Sequence, residues 1–209
     1  NELTSQDYLR FYQKLNPDAN DPLFWLHVNI EGQVNLRGVL YIPDRPIKNG
    51  NIRFFCNRVF VQEHCVELVP QYLAFLDGVI DTEDLPLNVS RDKFQEDKKT
   101  QVIRNFIKKK MAREIVDMAK TKRADFMRFW DAYSREMKMG GLMDDFWFKE
   151  LSAHFLFPSS TKPLTTIEDY QARAENKHAG EIYYLTDRIK QSQHLTMFKQ
   201  RNLEVLYMD

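Results

Sequence analysis

Arginine in the first turn of a helix is an unusual placement, and the helical pattern that follows the run Asp84-Leu85-Pro86-Leu87-Asn88-Val89-Ser90 predicts it for Arg91. Pro86 fixes its own φ and biases Leu85 toward an extended conformation, while Ser90 is suited to accept a hydrogen bond from the opening amides of the helical pattern that follows. A cation there opposes the positive end of the helix dipole, and a phosphate docked at that end would reverse the sign. The chemistry this suggests is electrostatic. A phosphate bound there is the ligand that would make this placement favourable.

Other chemistries find little support. The seven glycines form neither GxxxxGK[ST] nor GxGxxG, so no phosphate-cradling loop of the usual kinds is expected and the chain should bind no nucleotide alone. His27, His64, His154, His178 and His194 lack HExxH or Cys/His spacing for zinc. No GxSxG elbow surrounds a serine. Asp77, Asp81, Glu83 and Asp84 are dense enough for a metal or paired-carboxylate site, but turns carry such acids for solvation and capping, which is the preferred reading. Lys98, Lys99, Arg104, Lys108, Lys109, Lys110 and Arg113 load one long helix with positive charge, which reads first as a solvated face and second as a contact for phosphates or an acidic surface. The glycosylation triplet Asn88-Val89-Ser90 is set aside, since no secretory signal accompanies it.

The elements that must position Arg91 are legible in outline. Thr4 and Asp7 make an approximate capping box for a helix with the stripe Tyr8, Phe11, Tyr12 and Leu15, ended by Asn16-Pro17. Alternating runs from Leu23 to Glu31 and Val34 to Ile42 read as an antiparallel hairpin, and a third strand is expected from Ile52 to Val61. A helical period begins at Leu68, with Gly78 placed to end it and Val79-Ile80 opening a short buried strand. The longest helical pattern runs from Arg91 to Lys120 and is expected to bend or break once. An amphipathic helix through Phe126, Phe129, Trp130, Tyr133 and Met137 is expected to stop at Gly140-Gly141, with another from Phe146 to Phe155. After Pro163 comes an αβαβ unit: helix Thr166 to Asn176, strand Glu181 to Thr186, helix Gln191 to Arg201, strand Leu203 to Tyr207.

Composition sets the class. In 209 residues, 30 basic and 30 acidic side chains cancel, which removes the bulk-charge argument for nucleic acid or an anionic membrane. At 43% hydrophobic, the chain can bury a sizeable core. No apolar run reaches the length of a bilayer span, and the two cysteines, Cys56 and Cys65, read as reduced and structural. A soluble, cytoplasmic chain is expected. The start at Asn1 and the stop just past an apolar strand pattern suggest an excerpt of a longer protein.

The residues also carry a resemblance. The run Ile52 to Val61 (IRFFCNRVFV), then Glu67-Leu68-Val69-Pro70, then Gly78 to Arg91 (GVIDTEDLPLNVSR), resembles the middle domain of the heat-shock protein 90 chaperones, bacterial members in particular. Agreement extends through Gly32 to Pro43, Tyr183 to Thr186 and Leu203 to Leu206. The resemblance implies a dimeric, ATP-driven chaperone whose amino-terminal domain holds ATP with Mg2+ while this segment completes the hydrolytic site. Arg91 resembles the family's catalytic-loop arginine, which reaches the γ-phosphate. Gln95 matches a second polar residue of that loop, and Asn88 a position that sets its conformation. Phe60 and Leu85 fall where the family docks the amino-terminal domain, although core packing is the competing reading. The implied partners are that domain, unfolded or partly folded clients, and a second copy joined through a carboxy-terminal domain, with no membrane and no nucleic acid.

The implied fold is of the α/β (α+β) class: a larger α/β layered subdomain over 1–120, a helical connector over 121–157 and a smaller αβα subdomain over 158–209. Departures from the family pattern occur in the short loop Asp44 to Asn51, at Ser152 to Phe155 and at Gln171 to Ala174. Trp25, Trp130 and Trp147 are client-contact candidates by residue type alone and read better as core. The alternative from another class is a nonenzymatic scaffold that binds an acidic protein or RNA through the basic helix. A small-molecule kinase is a third, opposed by the missing glycine-rich loop.

Overall fold

The computed structural model describes residues 3–46, 50–85 and 98–208. They group into two compact units, Asn1–Phe148 and Lys149–Asp209. Both mix helix and sheet, as an α+β chain should.

The first unit is built on a five-stranded sheet of order β1-β2-β5-β3-β4, with β1 Phe24–Ile30, β2 Leu36–Ile42, β3 Ile52–Cys56, β4 Val59–Gln62 and β5 Asp77–Thr82. The β3–β5 pair is parallel and the others antiparallel. Helix α1, Ser5–Leu15, starts at a capping box in which Thr4 and Asp7 bond reciprocally. Its Tyr12 packs on Val39 and Tyr41 of β2, and Tyr8 stacks on Trp25 of β1 at 5.3 Å. Because side chains alternate across a strand, Phe24 points to the opposite face, where its ring meets Phe129 edge-on. That face is covered by α2, Lys98–Thr121, and α3, Arg123–Met143. Their apolar faces bury Ile103, Ile107, Met111 and Ile115, and Phe126, Phe129, Tyr133 and Met137, each contributing about 1.5–3 kcal/mol by leaving water.

Three sequence expectations are corrected here. The strand expected over 52–61 is a hairpin: Asn57 and Arg58 adopt left-handed φ of 52° and 64°, a two-residue turn that returns the chain as β4. The helix expected from Leu68 is two 3-10 turns, Val66–Leu68 and Gln71–Leu73, separated by Pro70. Gly78, expected as a helix terminator, lies in β5 at φ 138°, where an added Cβ would sit 2.1 Å from the Val39 carbonyl oxygen.

Gly140-Gly141 does not interrupt α3 either. A Cβ on Gly140 would fall 2.6 Å from Trp147 Nε1, so the bare glycine admits the indole, which donates to the Met137 carbonyl at 3.2 Å. Asp144 then receives the Trp147 amide at 3.1 Å and opens α4, Asp145–Leu151. Trp147 and Trp130 are buried, and Trp25 is partly buried.

The second unit holds α5, Ile167–His178, and α6, Ser192–Gln200, with β6 Tyr184–Leu185 and β7 Leu206–Tyr207 paired in parallel, the αβαβ order read from sequence. Thr166 caps α5 through the Asp169 amide. Tyr170, Ala174 and Leu206 form its core.

Candidate functional site

The chain enters the Asp84 to Arg91 segment from β5 and is taken up again at the first turn of α2. Asn88, Arg91 and Gln95 lie outside the described residues, so the observable part of the site is its two ends. Both are tied down, by side chains from three separate elements.

Asp84 is the hub. Its Oδ2 accepts the Asn35 backbone N–H at 2.6 Å, from the connection ahead of β2, and its Oδ1 accepts from Lys99 Nζ at 3.1 Å. Lys99 Nζ also donates to the Asp84 carbonyl oxygen at 3.0 Å. The Asp84 amide donates to Thr82 Oγ1, whose hydroxyl donates to the Asn35 carbonyl at 2.6 Å. The Asn35 amide and the Lys99 ammonium together hold the Asp84 carboxyl below the ordinary carboxylate range. Next in the chain, Leu85 is buried and its carbonyl accepts from the Cys56 thiol at 3.1 Å.

The other acids of the cluster are also engaged by groups of this chain. Asp81 accepts the Arg58 amide at 3.0 Å, Glu83 accepts from Asn35 Nδ2 at 3.0 Å, and Asp77 lies 3.4 Å from Arg53 Nη1. Burial raises the Asp77 carboxyl above its ordinary value despite that guanidinium. Among the described residues, no group of three or more His, Cys, Asp and Glu could hold a metal ion. Beside the hub opens a cleft of about 580 Å3, with Arg37 and Arg58 facing Glu31, Asp81 and Glu83. Its mixed charge suits a polar protein surface better than an apolar small molecule.

Phe60 sits on the outer strand β4, half exposed, its ring edge-on to Phe55 at 5.5 Å. The two docking candidates therefore differ in setting: Phe60 is presented to solvent, and Leu85 is covered by this chain itself. The basic helix is less of a free surface than its composition suggests. Lys99 is bound to Asp84, Arg104 Nε donates to the Glu67 carbonyl, and Lys108 pairs with Asp144 at 2.8 Å. Burial opposes charge on Asp144, but Lys108 and the Trp147 amide outweigh it and hold the carboxyl below its usual range.

Sequence reasoning missed Asn35, Cys56, Thr82 and Lys99. Lys99 was visible only as one cation among many on α2, and no local spacing joins it to Asp84.

Residues 1–209, the whole chain, match the family described as Hsp90 protein. The chain belongs to the Hsp90 family. It is 35% identical to the chaperone protein HtpG of Myxococcus xanthus, covering 99% of this chain and 33% of that one. It is 32% identical to HtpG of Porphyromonas gingivalis over 100% of this chain and 32% of the relative. Heat shock protein 83 of Leishmania donovani is 33% identical over 99% of this chain and 48% of its own length. The chain thus spans about a third of the bacterial relatives it matches. No helix among its described residues is long and apolar enough to cross a membrane.

Proposed function

We propose that this chain is the middle segment of an ATP-dependent chaperone and that Arg91 completes the ATPase site of an amino-terminal domain. The observation that carries the reading is the pairing of the Asp84 to Arg91 block with a base tied to β3, to the connection before β2 and to α2. A group that must reach a phosphate on another domain needs a rigid platform, because misplacement by about 1 Å can cost about a hundredfold in rate. ATP, as substrate with its Mg2+, is held by the amino-terminal domain. Arg91 supplies charge at the γ-phosphate, Gln95 and Asn88 shape the loop, and the general base lies outside this chain. The segment alone is inactive. Phe60 and the mixed-charge cleft are the surface offered to the nucleotide domain.

Client contact falls to exposed apolar residues. Met139, Leu142 and Met143 share one side of the last turns of α3, and Leu142 is 83% exposed. Trp130 and Trp147, being buried, are poor client contacts. Dimerisation through a carboxy-terminal domain and a cytoplasmic location complete the reading.

The scaffold alternative loses ground because three cations of the basic helix are engaged within the chain. The experiment is Arg91→Ala in the full-length protein. Turnover should fall by at least about tenfold, less than the 10³ to 10⁵ of a purely chemical step because domain closure also limits the rate. ATP affinity should change far less. Equal loss of both contradicts the role.

A further inference from the structure

We propose that the second unit carries a binding site for a phosphoryl-bearing anion, in the cleft between α5 and the turn that follows α6. The inference stands apart from the ATPase reading above and makes no use of Arg91.

The cleft holds about 520 Å3 and lies wholly within the second unit. Cations from three segments line it: Lys162 from the segment before α5, Arg173 and Lys177 from one face of α5, and Lys199 from the last turn of α6. The carboxylate that faces them, Glu204, already has its charge matched. Arg173 Nε and Nη2 reach its two oxygens at 2.9 and 2.8 Å, and Ser159 Oγ donates to it as well. Lys162, Lys177 and Lys199 pair with no carboxylate among the described residues. Lys177 Nζ donates instead to the Asn202 carbonyl at 2.5 Å, where a left-handed φ of 54° turns the chain out of α6, so this ammonium is held at the cleft. Like charges gathered on one cleft repel, and an anion with several charges offsets that cost.

A second, independent observation marks the same place. His178 lines the cleft, is nine-tenths buried, and is flanked by the Tyr170 and Tyr183 rings at 5.8 and 4.5 Å. Its Nδ1 donates to the Glu181 carbonyl at 3.2 Å, whereas its Nε2 has no hydrogen-bond partner among the described residues. Buried polar atoms are seldom left so. With the hydrogen on Nδ1, Nε2 is an acceptor in the neutral ring and a donor in the protonated one. A phosphoryl group suits both cases, because it carries several acceptor oxygens and, when singly protonated, an O–H donor; an ionised carboxylate suits only the second. Lysine ammoniums suit the same ligand, as mobile point charges that can follow oxygens on more than one phosphorus. The chemistry recognised is the phosphoryl group, borne either by a free oligophosphate or by a phosphorylated side chain.

The test titrates this chain with tripolyphosphate, a phosphoserine peptide and citrate at one ionic strength, following the heat released and the imidazole NMR resonances of His178. Tripolyphosphate or the peptide should saturate a single site at least about tenfold more tightly than citrate. Tighter binding of tripolyphosphate assigns the site to free oligophosphates and tighter binding of the peptide to a phosphorylated protein; either upholds the proposal. Lys162→Gln combined with Lys199→Gln should weaken binding by at least about tenfold and remove the His178 response at the same ligand concentration. The thermal midpoint of that double variant should match wild type, since neither lysine has an ion-pair partner among the described residues. Lys149→Gln combined with Lys190→Gln makes the same change of charge outside the cleft and should alter affinity by less than about twofold. Citrate binding as tightly as the phosphates, equal weakening by the two double variants, or saturation without a His178 response would each overturn the site. So would the lack of saturable binding by either phosphate ligand.

Discussion

The Cys56 thiol donates to the Leu85 carbonyl at 3.1 Å, joining the end of β3 to the last described residue before the Arg91 segment. Both residues are buried, so this carbonyl has no ready access to water. Cys56→Ala should lower stability by about 1 kcal/mol, read from the denaturant midpoint of this chain. Cys56→Ser, which returns a donor, should recover part of the loss. An alanine variant as stable as wild type would show that the contact carries no weight.

Gly78→Ala should be far more damaging. The φ of 138° and the Val39 carbonyl 2.1 Å from the new Cβ act together on the central strand β5, and neither can relax without parting β5 from β2. A loss of more than about 3 kcal/mol in urea unfolding is expected. Gly32→Ala is the control: its φ is 134°, but nothing lies within 4 Å of the added carbon. It should cost only about 1 kcal/mol, separating backbone strain from collision.

The second unit should show its own acid transition. Glu204 is partly buried, which opposes ionisation, but hydrogen bonds from Arg173 and Ser159 prevail and bring its carboxyl to about 2 from an ordinary 4.5. A folded value below the unfolded one means that the stabilisation is full above about pH 4.5 and disappears as pH falls toward about 2. Thermal unfolding across that interval should show the loss. Glu204→Gln should lower the midpoint at neutral pH and flatten the profile below about pH 4.5; an unchanged profile would remove Glu204 as its source.

Replacing Leu142 and Met143 by serine should weaken suppression of client aggregation by the full-length chaperone without lowering its thermal midpoint. Leu142 is 83% and Met143 52% exposed, so their removal opens no cavity. Undiminished suppression would move client contact elsewhere.

What was legible in the sequence was local. The Thr4–Asp7 box, the first hairpin and the αβαβ order are written in residues close together in the chain, and the structure contains them. The failures are tertiary. Asn57-Arg58 lacks a turn glycine, so the reversal between β3 and β4 left no mark on the apolar alternation. The 3-10 turns around Pro70 repeat every three residues and imitate a helical stripe. Gly78 and Gly140 looked like punctuation because the groups that need their bareness, the Val39 carbonyl and the Trp147 ring, come from distant or separate elements. The arginine motif stood out in sequence, whereas its supports, Asn35, Thr82, Cys56 and Lys99, become neighbours only when the sheet and α2 assemble.

The central claim is that this chain lends an arginine to a nucleotide bound on another domain. The direct measurement adds the chain to the isolated amino-terminal domain of the same protein and follows ATP hydrolysis, with Arg91 present and with Arg91→Ala. Stimulation that requires Arg91, while both forms of the chain bind the domain equally, is the predicted result. Equal stimulation by the two forms, or none by either despite binding, would contradict it.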